Sequence, residues 1–225
     1  MAELSILRVF CAEEGTGGNP LGVFLDGSEL ATDERQNVAT DLAFSETVFV
    51  DDRPSGRMAI YTPAAEIEFA GHPTVGTAWL LAERGTPVST LRPPAGEVPV
   101  RQEGGLTFIA GRPEWAPPFE FAELGSPAEV DALEGPPGDH DLIGAWAYLD
   151  EAAGVVRARV FPVRFGIPED EATGAAAVKL SAKLGRPLDI RQGSGSRILA
   201  APRADGFVEI GGRVALDEVR DYPSG

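Results

Sequence analysis

Residues 71–84 read GHPTVGTAWLLAER, in which small and polar residues precede an apolar stretch. We expect a helix over residues 75–84 that ends at the following glycine, because glycine readily adopts the left-handed conformation found just past many helices. A related pattern, ATGAA, occupies residues 172–176 and begins a second predicted helix that ends at Leu184. Threonine and glycine thus stand at the start of both helices. This weak repeat predicts two similar lobes whose helix starts face one cleft.

Short extended segments surround both helices. In the first half, strands are predicted at residues 4–11, 21–25, 47–50, 58–61 and 66–69 and near 87–92, 97–102 and 106–110. In the second half, they are predicted at residues 142–149 and 155–161 and over the last forty residues. Thr32 and Asp33 are predicted to cap one further helix, and Ser126 another. The predicted fold class is therefore α+β, with a sheet around a helix in each lobe.

The segment at residues 112–125, RPEWAPPFEFAELG, separates the two halves. It is rich in proline and aromatic residues and has neither a helical nor a strand period. Irregular segments of this kind are common between structural units. We therefore predict an N-terminal lobe over residues 1–112 and a C-terminal lobe over residues 113–225.

Charge and hydropathy exclude several partners. The chain has 19 Lys and Arg residues against 35 Asp and Glu residues, a net charge of −16, whereas a nucleic-acid surface needs a cationic partner. No stretch reaches the roughly 20 apolar residues of a membrane helix. The first seven residues lack the basic start of a signal peptide, so a cytoplasmic location is expected. We predict no nucleic-acid partner and no membrane association.

Cysteine and histidine are scarce. Cys11 is the only cysteine, which excludes an intramolecular disulfide and a catalytic pair of thiols. His72 and His140 are the only histidines, and His140 lies in a predicted surface loop, so a histidine-rich metal centre has few available ligands. The chain also lacks a phosphate-binding loop, a nucleophile elbow, an HExxH motif and a dinucleotide-binding glycine motif.

The two helix starts are candidate binding elements for a carboxylate. The first N–H groups of a helix are free, and the helix dipole is positive there. Gly71, Gly76, Gly174 and Ala175 are small enough to let a ligand approach the backbone. The alternative is that these residues only permit tight turns between strand and helix.

Three polar side chains near these elements could take part in chemistry. Glu46 precedes the apolar residues Val48 and Phe49, so a partly dry site could raise its pKa and suit it to move a proton to and from carbon. The alternative is a solvated glutamate at the end of a strand. Asp170 could instead be a helix N-cap. His72 could instead be a structural, hydrogen-bonded histidine.

Five motifs occur in an order that resembles the PhzF-like isomerase family of phenazine biosynthesis. The motifs are Gly18-Asn19-Pro20, Ser45-Glu46-Thr47, Tyr61-Thr62-Pro63 with Glu66, Gly71-His72-Pro73-Thr74-Val75-Gly76, and Asp170-Glu171-Ala172-Thr173-Gly174. Together they span roughly residues 4–185. The resemblance implies the diaminopimelate-epimerase-like fold, in which each lobe is a mixed sheet or partial barrel around a central helix. The active site is then expected between the lobes.

The resemblance also implies roles for residues in these motifs. Glu46 would be the acid/base that transfers the proton, and Asp170 and His72 would help bind and orient the substrate. Substrate-binding positions are expected at the remaining motif residues, namely Asn19, Ser45, Gly71, Thr74, Thr173 and Gly174. The family uses no metal and no organic cofactor, and a homodimer is expected. The predicted function is a cofactor-independent isomerase or epimerase of a small carboxylic acid.

The sequence departs from the family at one position in the predicted site. Family members commonly have a serine directly after the A-T-G motif, where this chain has Ala175. The loss of a hydroxyl suggests a different substrate or a weaker second proton relay. A non-catalytic protein that binds or senses small acids is therefore the alternative, and a structural dimerisation module is a third hypothesis.

Overall fold

The computed structural model describes residues 2–223 and confirms an α+β architecture with few helices. The strands are β1 Ala2–Cys11, β2 Asn19–Phe24, β3 Thr47–Asp52, β4 Arg57–Tyr61, β5 Glu66–Ile67, β6 Thr90–Leu91, β7 Val98–Glu103, β8 Leu106–Gly111, β9 Glu120–Glu123, β10 Ile143–Asp150, β11 Val155–Phe161, β12 Leu188–Gln192, β13 Ser196–Pro202 and β14 Val208–Tyr222. The α-helices are α1 Thr32–Leu42, α2 Gly71–Glu83, α3 Pro127–Asp131 and α4 Gly174–Leu184.

The strands form one mixed sheet with a repeated pairing pattern. In the first half, β1–β2 is antiparallel, β2–β3 parallel and β3–β4 antiparallel. In the second half, β10–β11 is antiparallel, β11–β12 parallel and β12–β13 antiparallel. The same sequence of pairings in both halves is what two similar lobes require.

Strand β14 joins the two halves of the sheet. Its residues 213–222 pair with β1, whereas residues 208–212 pair with β8 and residues 208–211 with β13. The last strand of the chain therefore completes the sheet of the first half. The lobe boundary after residue 112 stays a prediction.

One hydrophobic cluster contains residues of both central helices. Val75 and Leu80 of α2 belong to the same buried cluster as Val178 and Leu180 of α4. Fully burying a side chain of this size contributes about 1.5–3 kcal/mol. Since α2 and α4 share one core, their N-termini are held in fixed positions relative to each other.

Two predicted helix starts are wrong. Helix α2 begins at Gly71, four residues before the predicted start, because Pro73 lies in the first turn, where its missing N–H is not needed for the helix. Helix α1 begins at Thr32, so Thr32 and Asp33 are its first residues, and Ala31 is the N-cap. Ala31 has no side-chain acceptor for the helix, but its N–H donates a hydrogen bond of 3.3 Å to Glu34 Oε2.

The alternative that Asp170 is an N-cap is also wrong. Helix α4 begins at Gly174 and has Thr173 as its N-cap residue, so Asp170 lies outside the helix. The predicted end of α4 at Leu184 is confirmed, and the next residue, Gly185, adopts a left-handed conformation with φ of 64°. Ser126 does cap α3, since its hydroxyl accepts a hydrogen bond of 3.3 Å from the Glu129 N–H.

The irregular segment at 112–125 contains a strand that the sequence did not predict. Residues Glu120–Glu123 form β9, which pairs in parallel with β10 at the edge of the sheet. The segment also includes a short 3-10 turn at Pro113–Trp115. The predicted strand at 66–69 is shorter than expected and ends at Ile67.

Gly71→Ala is expected to lower the free energy of unfolding by about 1–3 kcal/mol through overpacking. A Cβ at residue 71 would lie 2.6 Å from Ile210 Cδ1 and 2.8 Å from Gly174 Cα, and the second of these atoms belongs to the backbone. Urea unfolding measures the loss. Gly135→Ala is the control, since nothing lies within 4 Å of a Cβ there. Equal stability of Gly71→Ala and the wild type would contradict this close approach.

Candidate active site

A cavity of about 410 Å³ opens between the two halves of the molecule. Its carboxyl-bearing wall residues are Glu46, Glu66, Glu68 and Asp170, and its aromatic wall residues are Phe69, Trp115, Phe119 and Phe165. In the part of the chain that the structure describes, no Lys, Arg or His side chain lines it. The cavity is thus largely apolar, and its ionisable wall groups are acids.

Glu46 reaches the cavity from the junction between α1 and β3. Helix α1 ends at Leu42, and the left-handed conformation of the next residue, Ala43 (φ of 54°), turns the chain toward the sheet. Strand β3 then begins at Thr47 and pairs with β2 and β4. Glu46 is therefore fixed between two regular elements, directly before a strand that is buried from Thr47 to Val50.

The carboxyl of Glu46 is held in a dry environment. Its side chain is 16% exposed, and Oε2 has no hydrogen-bond partner. Burial raises the pKa of Glu46 to about 7, although the neighbouring Ser45 opposes this shift. The alternative of a solvated glutamate is therefore wrong. An acid with this pKa can both accept and donate a proton near neutral pH.

His72 lies beside Glu46 in the first turn of α2. Its Nδ1 is 3.5 Å from Glu46 Oε2, and its side chain is 3% exposed. Burial lowers the pKa of His72 to about 4, whereas the nearby Asp170 raises it. The imidazole is therefore neutral at neutral pH. Its Nε2 atom is buried and has no hydrogen-bond partner, which is unusual for a purely structural histidine.

Asp170 is the second buried acid of the site. Its Oδ1 accepts a hydrogen bond of 2.7 Å from Asn19 Nδ2, and its Oδ2 accepts one of 2.6 Å from the Thr173 hydroxyl. Burial raises the pKa of Asp170 to about 6, as does Glu46, while His72 and the two hydrogen bonds lower it. Two donors thus orient a carboxyl whose charge is otherwise disfavoured by burial.

The starts of α2 and α4 are in contact at two glycines. A Cβ on Gly174 would lie 2.9 Å from Gly71 Cα, so the backbones meet without intervening side chains. The first N–H groups of each helix have no acceptor within the helix. The starts of both helices therefore lie next to Asp170 and Ala175, which line the cavity.

The remaining predicted binding residues hold the site together through hydrogen bonds within the protein. Asn19 Nδ2 also donates to the Ala172 carbonyl at 2.9 Å, and its Oδ1 accepts from Ser45 at 3.3 Å. The Thr74 hydroxyl donates to the Ala70 carbonyl at 2.7 Å. Of the predicted site residues, Glu46, Asp170 and Thr173 line the cavity. Roles in substrate binding stay predictions for all of them.

Sequence reasoning missed two sets of residues at the site. One is Gln192, a buried side chain at the end of β12 that hydrogen-bonds to Thr173 and to the Asp170 backbone. The other is Trp115 and Phe119, which lie in the segment interpreted as a lobe boundary. A cluster of prolines and aromatic residues without any period was the available signal for the second set.

The structure also bears on metal binding and on membrane insertion. Between residues 2 and 223, no group of three or more His, Cys, Asp or Glu side chains is arranged to hold a metal ion. Over the same range, no helix has both the length and the apolar character needed to cross a membrane. His140 lies on the surface, as predicted, where Nδ1 is 2.9 Å from Glu120 Oε1.

Comparisons with known proteins agree with the motif resemblance. Residues 7–135 match the phenazine biosynthesis-like protein family, PhzC-PhzF. The chain is 30% identical to trans-2,3-dihydro-3-hydroxyanthranilate isomerase of Pseudomonas aeruginosa in an alignment of 242 positions, which covers 89% of this chain and 84% of that protein. The predicted family is confirmed.

Solved structures confirm the predicted fold class. A phenazine biosynthesis protein of the PhzF family from Bacillus anthracis superposes with a TM-score of 0.80 at 20% identity, covering 99% of each chain. A hydroxyproline epimerase from Agrobacterium vitis superposes with a TM-score of 0.58 at 13% identity, covering 98% of this chain and 93% of that one. At these identities, the likeness concerns the fold alone.

Proposed function

The chain belongs to the phenazine biosynthesis-like protein family and is an isomerase, and we propose that it moves a proton at a carbon atom of a small carboxylic acid without a cofactor. Glu46 is the acid/base of this reaction. Its carboxylate takes a proton from carbon, so that a C–H bond breaks and an O–H bond forms, while the electron pair of the C–H bond delocalises into the substrate. The O–H bond then breaks as a new C–H bond forms at another carbon or on the opposite face.

The observation that carries this proposal is the state of the Glu46 carboxyl. It lies on the wall of the cavity, has an unpartnered Oε2 and has a pKa of about 7. General acids and bases work best when their pKa is close to the working pH. An ordinary solvated glutamate would be almost fully ionised at pH 7 and could not return the proton efficiently.

The substrate carboxylate is bound by backbone N–H groups at the starts of α2 and α4. Since cationic side chains are absent from the described cavity wall, the helix ends are the available positive partners. Glu46 and Asp170 repel the anion less than ordinary acids would, because both carry raised pKa values and are partly protonated near pH 6–7. Binding is therefore expected to be tighter on the acidic side of neutral pH.

The rest of the cavity favours a substrate with an apolar or ring-shaped body. Phe69, Trp115, Phe119 and Phe165 provide aromatic surface around a volume suited to a small molecule. The relative from Pseudomonas aeruginosa is named for trans-2,3-dihydro-3-hydroxyanthranilate, which makes that acid the first substrate to test. Ala175 lines the cavity with a methyl group where the family commonly has a hydroxyl, so a related acid is an equal candidate.

Turnover by the wild-type protein tests the proposed function. Trans-2,3-dihydro-3-hydroxyanthranilate and a panel of small cyclic and aromatic acids are incubated with the protein in deuterated water. We expect at least one acid to isomerise with solvent deuterium on carbon, as measured by proton NMR and mass spectrometry. Binding of acids without exchange across the panel would contradict catalysis and favour a non-catalytic acid-binding or regulatory protein.

A further inference from the structure

Gln192 is a buried polar side chain of the site that makes three hydrogen bonds and that the proposed reaction does not use. It ends β12 and is 2% exposed. Its Oε1 accepts a hydrogen bond of 3.2 Å from the Thr173 N–H. Its Nε2 donates to the Asp170 carbonyl at 2.9 Å and to the Thr173 hydroxyl oxygen at 3.0 Å. One amide thus contacts both ends of the segment that carries the second buried acid.

The bond between Gln192 and the Thr173 hydroxyl determines the direction of the next hydrogen bond. A hydroxyl has one hydrogen to donate and two lone pairs to accept with. Because the Thr173 oxygen accepts from Gln192, its own hydrogen is free to point at Asp170 Oδ2, which lies 2.6 Å away. The hydrogen bonds therefore run in one direction, from the amide through the hydroxyl to the carboxylate, and each polarises the next.

This arrangement disfavours a proton on Asp170. A protonated Asp170 would need an acceptor for its own hydrogen, and the Thr173 oxygen is the nearest one at Oδ2. To accept it, the Thr173 hydroxyl would have to turn its own hydrogen away from Asp170, and the position that faces Gln192 is already taken by the N–H of that amide. On the other side of the carboxyl, Oδ1 faces a donor, Asn19 Nδ2. The ionisable groups that act on Asp170 are Glu46, which raises its pKa, and His72, which lowers it.

We propose that Gln192 is a positioning residue whose amide holds the Thr173 hydroxyl as a donor to Asp170 and thereby keeps that carboxyl oriented in the cavity. The structural alternative is that Gln192 only pairs the Thr173 N–H and the Asp170 carbonyl, which would otherwise be buried without partners. The two interpretations differ in the role of the hydrogen bond from Gln192 Nε2 to the Thr173 hydroxyl. Only the first interpretation makes the proton affinity of Asp170 depend on Gln192. The importance of Gln192 for the reaction rests on the proposed function, whereas the hydrogen-bond chain from Gln192 to Asp170 does not.

Carboxyl-carbon NMR titration of Asp170 tests this role without any substrate. The signal is assigned by its loss in Asp170→Asn. In Gln192→Met, which has a similar shape and no amide, the Thr173 hydroxyl is no longer held as a donor and can turn its hydrogen away, so that its oxygen accepts from protonated Asp170. We expect the titration midpoint of Asp170 to rise from about 6. The expected rise is about one pH unit, a tenfold gain in proton affinity.

A double-mutant cycle separates positioning from general damage. Thr173→Val removes only the hydroxyl and leaves the amide of Gln192 in contact with the backbone, and it is expected to raise the Asp170 midpoint by a similar amount. Adding Gln192→Met to Thr173→Val should then have no further effect on that midpoint. If Gln192→Met is too unstable to titrate, an unshifted midpoint in Thr173→Val alone overturns the proposal.

Gln102→Met is the matched control. Gln102 Nε2 also donates to a threonine hydroxyl, that of Thr107 at 3.2 Å, but on β7 and β8 away from the cavity. This variant should leave the Asp170 midpoint unchanged. An unchanged midpoint in folded Gln192→Met, or an equal shift in Gln102→Met, would contradict a positioning role. Because the titration needs no turnover, these outcomes stand apart from the failure of the proposed reaction.

Discussion

Replacing Glu46 with glutamine is expected to slow isomerisation by about 10²- to 10⁴-fold, the contribution typical of a positioned acid/base. Glutamine has nearly the shape of glutamic acid but cannot take up or release a proton in this range. Glu46 Oε2 has no hydrogen-bond partner, so the substitution breaks no hydrogen bond at that atom. Initial rates with the acid found active in the wild type measure the effect. The loss should fall on kcat more than on KM.

Glu14→Gln is the control for the change of charge. Glu14 is exposed and lies in the turn between β1 and β2, so its replacement removes the same charge at a site without burial. We expect wild-type rates from this variant. A Glu46→Gln protein that retained more than about a tenth of the wild-type rate would exclude Glu46 as the acid/base, since such groups contribute at least 10²-fold.

Glu46→Gln is also expected to stabilise the folded protein at pH 8 by about 3 kcal/mol. Burial raises the pKa of Glu46 from 4.5 to about 7. Below pH 4.5 the group is protonated in both the folded and the unfolded protein and contributes nothing. Between pH 4.5 and 7 the unfolded chain loses this proton first, so the stability of the wild type falls as the pH rises. Above pH 7 the folded wild type carries the full free-energy cost of the buried Glu46 charge.

Urea unfolding at pH 8 and pH 4.5 measures this effect. The gain of Glu46→Gln over the wild type should be present at pH 8 and vanish at pH 4.5, and Glu14→Gln, at an exposed position, is the control. Functional groups often reduce stability in this way, because activity requires an environment that disfavours their charge. A Glu46→Gln protein no more stable than the wild type at pH 8 would show that Glu46 is solvated.

Much of the fold could be predicted because it depends on local patterns. Glycine at residue 185 and the capping serine at residue 126 are signals within one turn of the helix they bound. The start of α2 was missed because Pro73 usually argues against a helix, yet the first turn tolerates it. Strand β9 was missed because it is stabilised by pairing with β10, in which Ile143 lies opposite Glu120, 23 residues earlier in the chain.

The site was predictable in part. Glu46 could be identified as a candidate because apolar residues follow it. The burial of its carboxyl depends on packing between segments that are distant in the chain, which cannot be read from the sequence. Asp170 and Asn19 lie 151 residues apart in the chain, and the structure brings them within 2.7 Å. Gln192 gave no local signal, because its importance comes from contact with Thr173, nineteen residues earlier.

The irregular segment at residues 112–125 has a second role that the sequence did not predict. The prolines and aromatic residues at 112–125 were interpreted as a connection between lobes because they follow no period. In the structure, Trp115 and Phe119 from this segment line the cavity beside Phe69 and Phe165. An irregular backbone lets neighbouring side chains point to one place, which regular strands and helices do not allow as freely.

NMR titration of the Glu46 side-chain carboxyl carbon would decide whether this glutamate is an acid/base poised for neutral pH. The signal is identified in carbon-13-labelled protein by its absence from Glu46→Gln, and Glu14→Gln serves to exclude a general change in the spectrum. We expect a midpoint at about pH 7. A midpoint near 4.5, the ordinary value for glutamate, would contradict both the dry site and the proposed role of Glu46.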